Sequence, residues 1–264
     1  MLSGLIVYSK TDREKNSWFI NSCIDYLTNK EVSLIYKDED DVLDYASNHQ
    51  VDFVIYRSRK HEIVEQLEKK GIRCFNNNET NKIANDKYYT YQFLLKQNIK
   101  CTSSFLSIEE VKKYPLVMKS VDGHGGQEVY LIQNKKEAET LKKLNKNYVY
   151  QPFYKNDGDL RLFVLNKKVI GTVLRHNDKD FRSNFSLGGQ IESYEPSKEL
   201  IQIAELIANK LEADYIGVDF LRVDDEWIVN EIEDPVGARM LFKASGIDAS
   251  VLFCDYIYHA LTNK

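Results

Sequence analysis

Glycine is scarce: 12 in 264 residues, and ten of the 12 lie between Gly123 and Gly246. All four prolines, Pro115, Pro152, Pro196 and Pro235, fall in the same half. Backbone freedom and stiffness are both concentrated there, so a site made from tight loops belongs to that half. Cysteine is equally sparse. Cys23, Cys74, Cys101 and Cys254 are far apart, with no CxxC and no Cys/His spacing. That argues against a disulfide framework or structural zinc and favours a reducing, cytoplasmic location. No apolar run approaches the roughly 18 residues of a membrane span, so no membrane partner is expected. The opening MLSGLIVYSK turns polar too soon for a signal peptide. Basic charge is not in excess: 36 Lys and Arg face 40 Asp and Glu, a net of −4, which makes nucleic acid an unexpected partner.

What is present is ample apolar residue for a core, at 43% of the chain, in two differently patterned stretches. Over the first eighty residues strand and helix signals alternate. Leu5–Tyr8, Val32–Tyr36 and Val51–Tyr56 read as strands, and the Trp18–Leu27 periodicity, Asp41–Asn48 and His61–Lys70 read as helices, the last stopped by Gly71. This pattern predicts a small α/β unit with a parallel sheet over residues 1–80. Asn76–Asn81 reads as a linker or cap, followed by a helix bearing Ile83, Tyr91, Leu94 and Leu95. From Pro115 strands come as neighbours, at Leu116–Lys119, Glu128–Ile132, Tyr148–Gln151, Leu160–Leu165 and Val169–Leu174, which suits antiparallel hairpins. A helix at Ser197–Leu211, strands at Tyr215–Val223 and Glu226–Glu233, and a helix from Ala249 complete an α+β chain.

Three constellations could carry chemistry. In the last strand pair, period two places Glu231 and Glu233 on one face, with Ile228 and Ile232 on the other. A three-residue loop, Asp224-Asp225-Glu226, sets Asp219 opposite Glu231. Three carboxylates so gathered repel unless a cation neutralises them, and all-oxygen ligands suit Mg²⁺ or Mn²⁺. An ordinary solvated sheet face would look the same. Second, Lys119 ends an apolar strand and Gly123, Gly125 and Gly126 follow, a loop whose amides can approach an anion closely. The bland alternative is a mobile turn with His124 exposed. Third, Arg161, Arg175 and Arg182 lie on or beside consecutive strands, with Gly188-Gly189 after the last. Guanidinium groups so placed recognise phosphate or carboxylate, although surface ion pairs use arginine too. Together the three describe a Mg-nucleotide phosphate site built from antiparallel strands.

At these residues the chain resembles the RimK-like ligases of the ATP-grasp superfamily. The pieces are Asn85-Asp86-Lys87, Pro115–Lys119 with its glycine loop, Asp159-Leu160-Arg161, Phe181-Arg182-Ser183-Asn184 with Gly188-Gly189, Gly217-Val218-Asp219, Asn230–Glu233 and Gly246-Ile247-Asp248. The resemblance implies an ATP-grasp domain over 81–264, with a lid subdomain at 81–150 and a C-terminal subdomain at 151–264. Residues 1–80 would be the small α/β domain that precedes it. It also implies phosphorylation of a substrate carboxylate by ATP, attack on the acyl phosphate by an amine, and release of ADP and phosphate. Glutamate, another amino acid or a peptide would serve as substrate. By that resemblance Lys87 and Lys119 hold the ATP phosphates under the Gly123–Gly126 loop, and Gln151-Pro152-Phe153 reads adenine. Asp159 lies near the nucleotide, and Arg182, Ser183 and Asn184 surround the phosphates. Asp219, Glu231 and Glu233 bind two Mg²⁺ ions, and Arg161 and Arg175 meet the substrate carboxylate or the acyl phosphate. Of these, Arg161, Arg175, Arg182 and Asn184 are the catalytic candidates. Related ligases often form dimers or tetramers, so a homo-oligomer is compatible with the resemblance.

Two positions depart from the family. Glu233 stands where Asn is usual, adding a charge and a methylene, and Pro152-Phe153 stand where Glu-Tyr is common. Pro152 lacks only its N–H, so its carbonyl and the Phe153 amide can still read adenine. Glu233 keeps alive a rival reading, an ATP-binding regulatory or scaffold module without turnover. A dinucleotide oxidoreductase is disfavoured because no GxGxxG follows Leu5–Tyr8.

Overall fold

The structure, a computed structural model, describes residues 1–126, 128–143, 146–155, 158–176 and 190–262. The chain begins β1 (Ser3–Tyr8), α1 (Lys10–Arg13), α2 (Ser17–Thr28), β2 (Ser33–Asp38), α3 (Val42–Asn48), β3 (Phe53–Tyr56), α4 (His61–Lys69) and β4 (Arg73–Phe75). Its four strands pair in parallel in the order β2-β1-β3-β4. Leu5 to Tyr8 and Phe53 to Tyr56 are all buried, so both faces of the sheet need helical cover. Leu5, Val7, Val54 and Tyr56 cluster with Val64 and Leu67 of α4, and Ile6, Tyr8 and Ile55 with Phe19, Ile20 and Cys23 of α2. Gly71, at φ 79°, follows α4 in the left-handed conformation that stops it.

The Asn76–Asn81 stretch is more structured than a linker. The Asn77 side chain accepts from the Thr80 amide at 2.8 Å and so caps α5 (Asn78–Ala84). Asp86 likewise caps α6 (Lys87–Lys96), accepting from the Tyr88 and Tyr89 amides at 2.8 and 2.9 Å. This cap explains why a lysine opens the helix at a fixed place.

Next come β5 (Leu116–Ser120), β6 (Val129–Ile132), α7 (Lys135–Leu141) and β7 (Tyr148–Pro152), with an antiparallel sheet ordered β6-β5-β7. The expected series of simple hairpins is corrected here. Helix α7, capped by Asn134, carries the chain past β5, so β7 pairs with β5 and not with β6. It buries only Ala138, which leaves almost no apolar periodicity to read.

The last part comprises β8 (Asp159–Leu165), β9 (Lys168–His176), β10 (Gln190–Ser193), α8 (Lys198–Lys210), β11 (Tyr215–Val223), β12 (Glu226–Glu233), α9 (Arg239–Ser245) and α10 (Ala249–Thr262). The strands form one antiparallel sheet, β10-β9-β8-β11-β12. One face carries Leu160, Leu162, Val218 and Phe220 against Leu200, Ala204 and Ile207 of α8. The other shares Phe163, Val173 and Tyr215 with Phe253 of α10 and with Phe53 and Phe75 of the parallel sheet. The whole is mixed helix and sheet, as the sequence predicts. Among the described residues no helix is long and apolar enough to cross a membrane.

Candidate nucleotide and metal site

Strands β11 and β12 are joined by two residues, Asp224 and Asp225, both left-handed at φ 48° and 65°, and not by the expected three. That turn alone would set Asp219 against Asn230. A bulge at Asp219/Phe220 takes up Asn230 and restores Asp219 opposite Glu231. It also corrects the faces. Ile228 lies opposite Leu221 on the carboxylate side, whereas Val229 joins Phe220 in the opposite core. Oxygens of Asp219, Glu231 and Glu233 lie within 4.8 Å of one another.

Neighbouring strands bring the arginines to this group by direct pairing. Arg161 on β8 stands opposite Asp219, and Arg175 on β9 opposite Asp159. Arg161 donates from Nε and Nη2 to the two Asp219 oxygens, each at 2.6 Å, and from Nη2 to Glu233 at 2.7 Å. Arg175 donates from Nη2 to Asp219 at 2.6 Å and from Nε to Asp159. From the other side Lys119 Nζ lies 3.3 Å and Lys87 Nζ 3.9 Å from Glu231, and Lys87 also donates to the Gly123 carbonyl, tying down the glycine loop. Four carboxylates therefore meet four cations. Burial alone would raise the Asp219 carboxyl, but Arg161 and Arg175 outweigh it and hold the group well below the ordinary range. Burial is likewise outweighed at Glu231 by Lys87 and Lys119. Both groups stay ionised, as a metal ligand must. Their all-oxygen set, with lysines facing it for phosphate, fits Mg²⁺.

Beside the carboxylates lies a cavity of about 110 Å³ between the three-stranded and five-stranded sheets. Its lining brings together Lys87, Lys119, Gly123, Gly125, Gly126, Gln151, Pro152, Phe153, Asp159, Arg175, Asp219, Glu231 and Glu233. Arg161 stands behind this wall, reaching it through Asp219 and Glu233. The Gln151 side chain is engaged with Ser104 at 2.7 Å. Phe181, Arg182, Ser183, Asn184, Gly188 and Gly189 lie outside the described residues.

Several lining residues escaped the sequence reading. Val117 and Leu221 give apolar walls and stand two residues from Lys119 and Asp219, so strand alternation could have found them. Asn230, placed by the bulge, lies 3.5 Å from Lys119. His124 is exposed as expected, yet it also borders the cavity.

A family model for the RimK-like ATP-grasp domain matches residues 84–257. The "uncharacterized protein MG011 homolog" of Mycoplasma pneumoniae is 32% identical over 91% of this chain and 86% of its own length. The "probable alpha-L-glutamate ligase" of Haemophilus influenzae is 31% identical over 74% of this chain and 70% of its own length. The crystal structure of D-alanine–D-alanine ligase from Bacillus anthracis superposes with a TM-score of 0.77 over 100% of this chain and 98% of that one, at 16% identity, which shows a shared fold. With this fold and a family match over most of its length, the chain belongs to the RimK-like ATP-grasp family of ATP-dependent carboxylate–amine ligases.

Proposed function

We propose that the chain activates a carboxylate as an acyl phosphate and joins it to an amine, with an amino acid among its substrates. One observation carries this reading: Asp219, Glu231 and Glu233 converge on a cavity whose other walls hold Lys87, Lys119 and a glycine loop. Asp219, Glu231 and Glu233 would hold two Mg²⁺ ions, which when bound neutralise charge on the transferring phosphoryl group. Lys87 and Lys119 orient the phosphates, while Val117, Leu221 and Phe153 give the base an apolar slot. The substrate carboxylate oxygen bonds to the γ-phosphorus as the bond to the β–γ bridging oxygen breaks, releasing ADP. The amine then bonds to the acyl carbon, phosphate departs, and the nitrogen loses a proton. Arg175, held by Asp159 and Asp219, stabilises the developing oxyanion in this reading. The Gly123–Gly126 loop shields the acyl phosphate from water.

The amino-acid substrate is supported by the relative named as a probable alpha-L-glutamate ligase. A panel of amino acids, small carboxylates and short peptides, assayed for ADP, tests the reading. Release that needs Mg²⁺, a carboxylate and an amine together is the expected result. Nucleotide binding with no release above background across the panel would favour the scaffold reading.

A further inference from the structure

An amine that attacks an acyl phosphate must shed a proton, and most side chains around the nucleotide cavity have no means of taking it. Lys87 and Lys119 are cations that face Glu231. Asp159 is held by Arg175, Asp219 by Arg161 and Arg175, and Glu233 by Arg161. These groups are committed to one another, and a proton added to any of the carboxylates would break a buried ion pair. Burial keeps the Tyr154 hydroxyl protonated. His124 is different. It lines the same cavity and makes neither a hydrogen bond nor an ion pair among the described residues.

The turn sets its place. Gly125 and Gly126 are left-handed at φ 65° and 74°, and Lys87 donates to the Gly123 carbonyl, so the loop is pinned just before His124 and turns just after it. The residue borders the nucleotide cavity on one side and, on the other, a space of about 240 Å³ walled in part by Asp12 and Arg59 of the N-terminal unit. Partial burial, Arg59 and Lys87 oppose a charge on the ring, against Asp12 and Glu233, and together hold the imidazole below its ordinary value. It is therefore neutral near pH 7, with one lone pair to offer. We propose that His124 is the general base of the acyl transfer and takes the proton of the attacking amine. This rests on the ligase reading. As the nitrogen bonds to the acyl carbon, the bond from that carbon to the phosphate oxygen breaks, and its electron pair leaves with phosphate. The proton on the nitrogen passes to the imidazole, which returns it to water as the amide departs. The place fits the step, because the acyl phosphate forms where the γ-phosphate meets the carboxylate, beside the loop that carries His124.

A change of nucleophile provides the test. The amine of an amino acid is protonated at neutral pH and needs a base. Hydroxylamine is uncharged there, and its adduct is acidic enough to lose a proton to water. Amide or hydroxamate formation and ADP release are measured at pH 7 with Mg-ATP and the most active carboxylate of the panel above, with an amino acid or hydroxylamine as nucleophile. His124→Gln keeps an N–H that can hold phosphate but cannot take up a proton. It should lower kcat for the amide about 100–10,000-fold and kcat for the hydroxamate no more than about threefold, with affinity for a non-hydrolysable ATP analogue unchanged. An equal loss with both nucleophiles, or weakened binding of the analogue, would assign His124 to the nucleotide and overturn the proposal. Unchanged rates with both would overturn it too. Failure of the ligase reading would appear differently, as a native chain that releases no ADP with any carboxylate and either nucleophile, and it would remove the proposal with it.

Discussion

Asp219 is 3% exposed and accepts three charge-assisted hydrogen bonds, two from Arg161 and one from Arg175. Such a carboxylate is secure only while its partners remain, because a buried charge left alone costs about 3–5 kcal/mol. Glu233 shares Arg161 with it, accepting from Nη2 at 2.7 Å. The extra methylene and charge relative to the usual Asn are thus engaged and not idle. Glu233→Asn is expected to leave the fold intact, lower ADP release about 10–100-fold and raise the Mg²⁺ concentration needed for half-maximal rate. A Mg²⁺ titration of the rate checks this. Improved turnover would instead mark Glu233 as a step away from catalysis.

At the scale of elements, the hairpin β11–β12 is what delivers three carboxylates to one place, and at Gly217 it has no room for a side chain. A Cβ there would lie 2.8 Å from Val236 Cγ2, 3.3 Å from the Glu233 Cβ and 3.4 Å from Arg161 Cδ. Gly217→Ala should therefore destabilise the chain by about 1–3 kcal/mol in denaturant unfolding, by overpacking against a buried valine. An unchanged midpoint would show that Val236 yields freely. Glu231 and Glu233 were legible as a pair because alternation holds beyond the bulge, and the order of motifs supplied the rest. The turn was not: a two-residue loop and a bulge offset each other, so Asp219 meets Glu231 by a different route from the one read in the sequence. Helix α7 was hidden by its single buried residue, and α9 and β10 by their brevity. Arg57 and Arg59 gave no signal at all, since only folding brings the loop after β3 to line a cavity with Glu233.

Across the whole molecule, polar contacts buried between sheets fix the site to the N-terminal unit. Asn76 Nδ2 donates to the Tyr215 carbonyl at 2.8 Å and to Asp234 at 2.9 Å, and Asn81 donates to the other Asp234 oxygen at 2.8 Å. These bonds hold the start of β11 and the end of β12, so the carboxylate hairpin is anchored to the N-terminal unit. Asp214, 2% exposed, accepts from Arg73 and Tyr256 at 2.6 Å each. Burial nonetheless pushes its carboxyl up to about 6, against the partial compensation of Arg73 and Tyr256. A raised carboxyl favours the protonated form in the native state, so stability falls as pH rises from the ordinary carboxylate range through about 6. Relative to Asp214→Asn, the native chain should lose about 1–3 kcal/mol between about pH 4 and pH 7 in urea unfolding. A difference that does not vary with pH contradicts this assignment. The central claim concerns the route of one oxygen atom. With ¹⁸O in the carboxylate of a substrate that supports turnover, the released inorganic phosphate should carry one ¹⁸O atom, and ADP should be the nucleotide product. Unlabelled phosphate, or release of AMP, would contradict the acyl-phosphate mechanism directly.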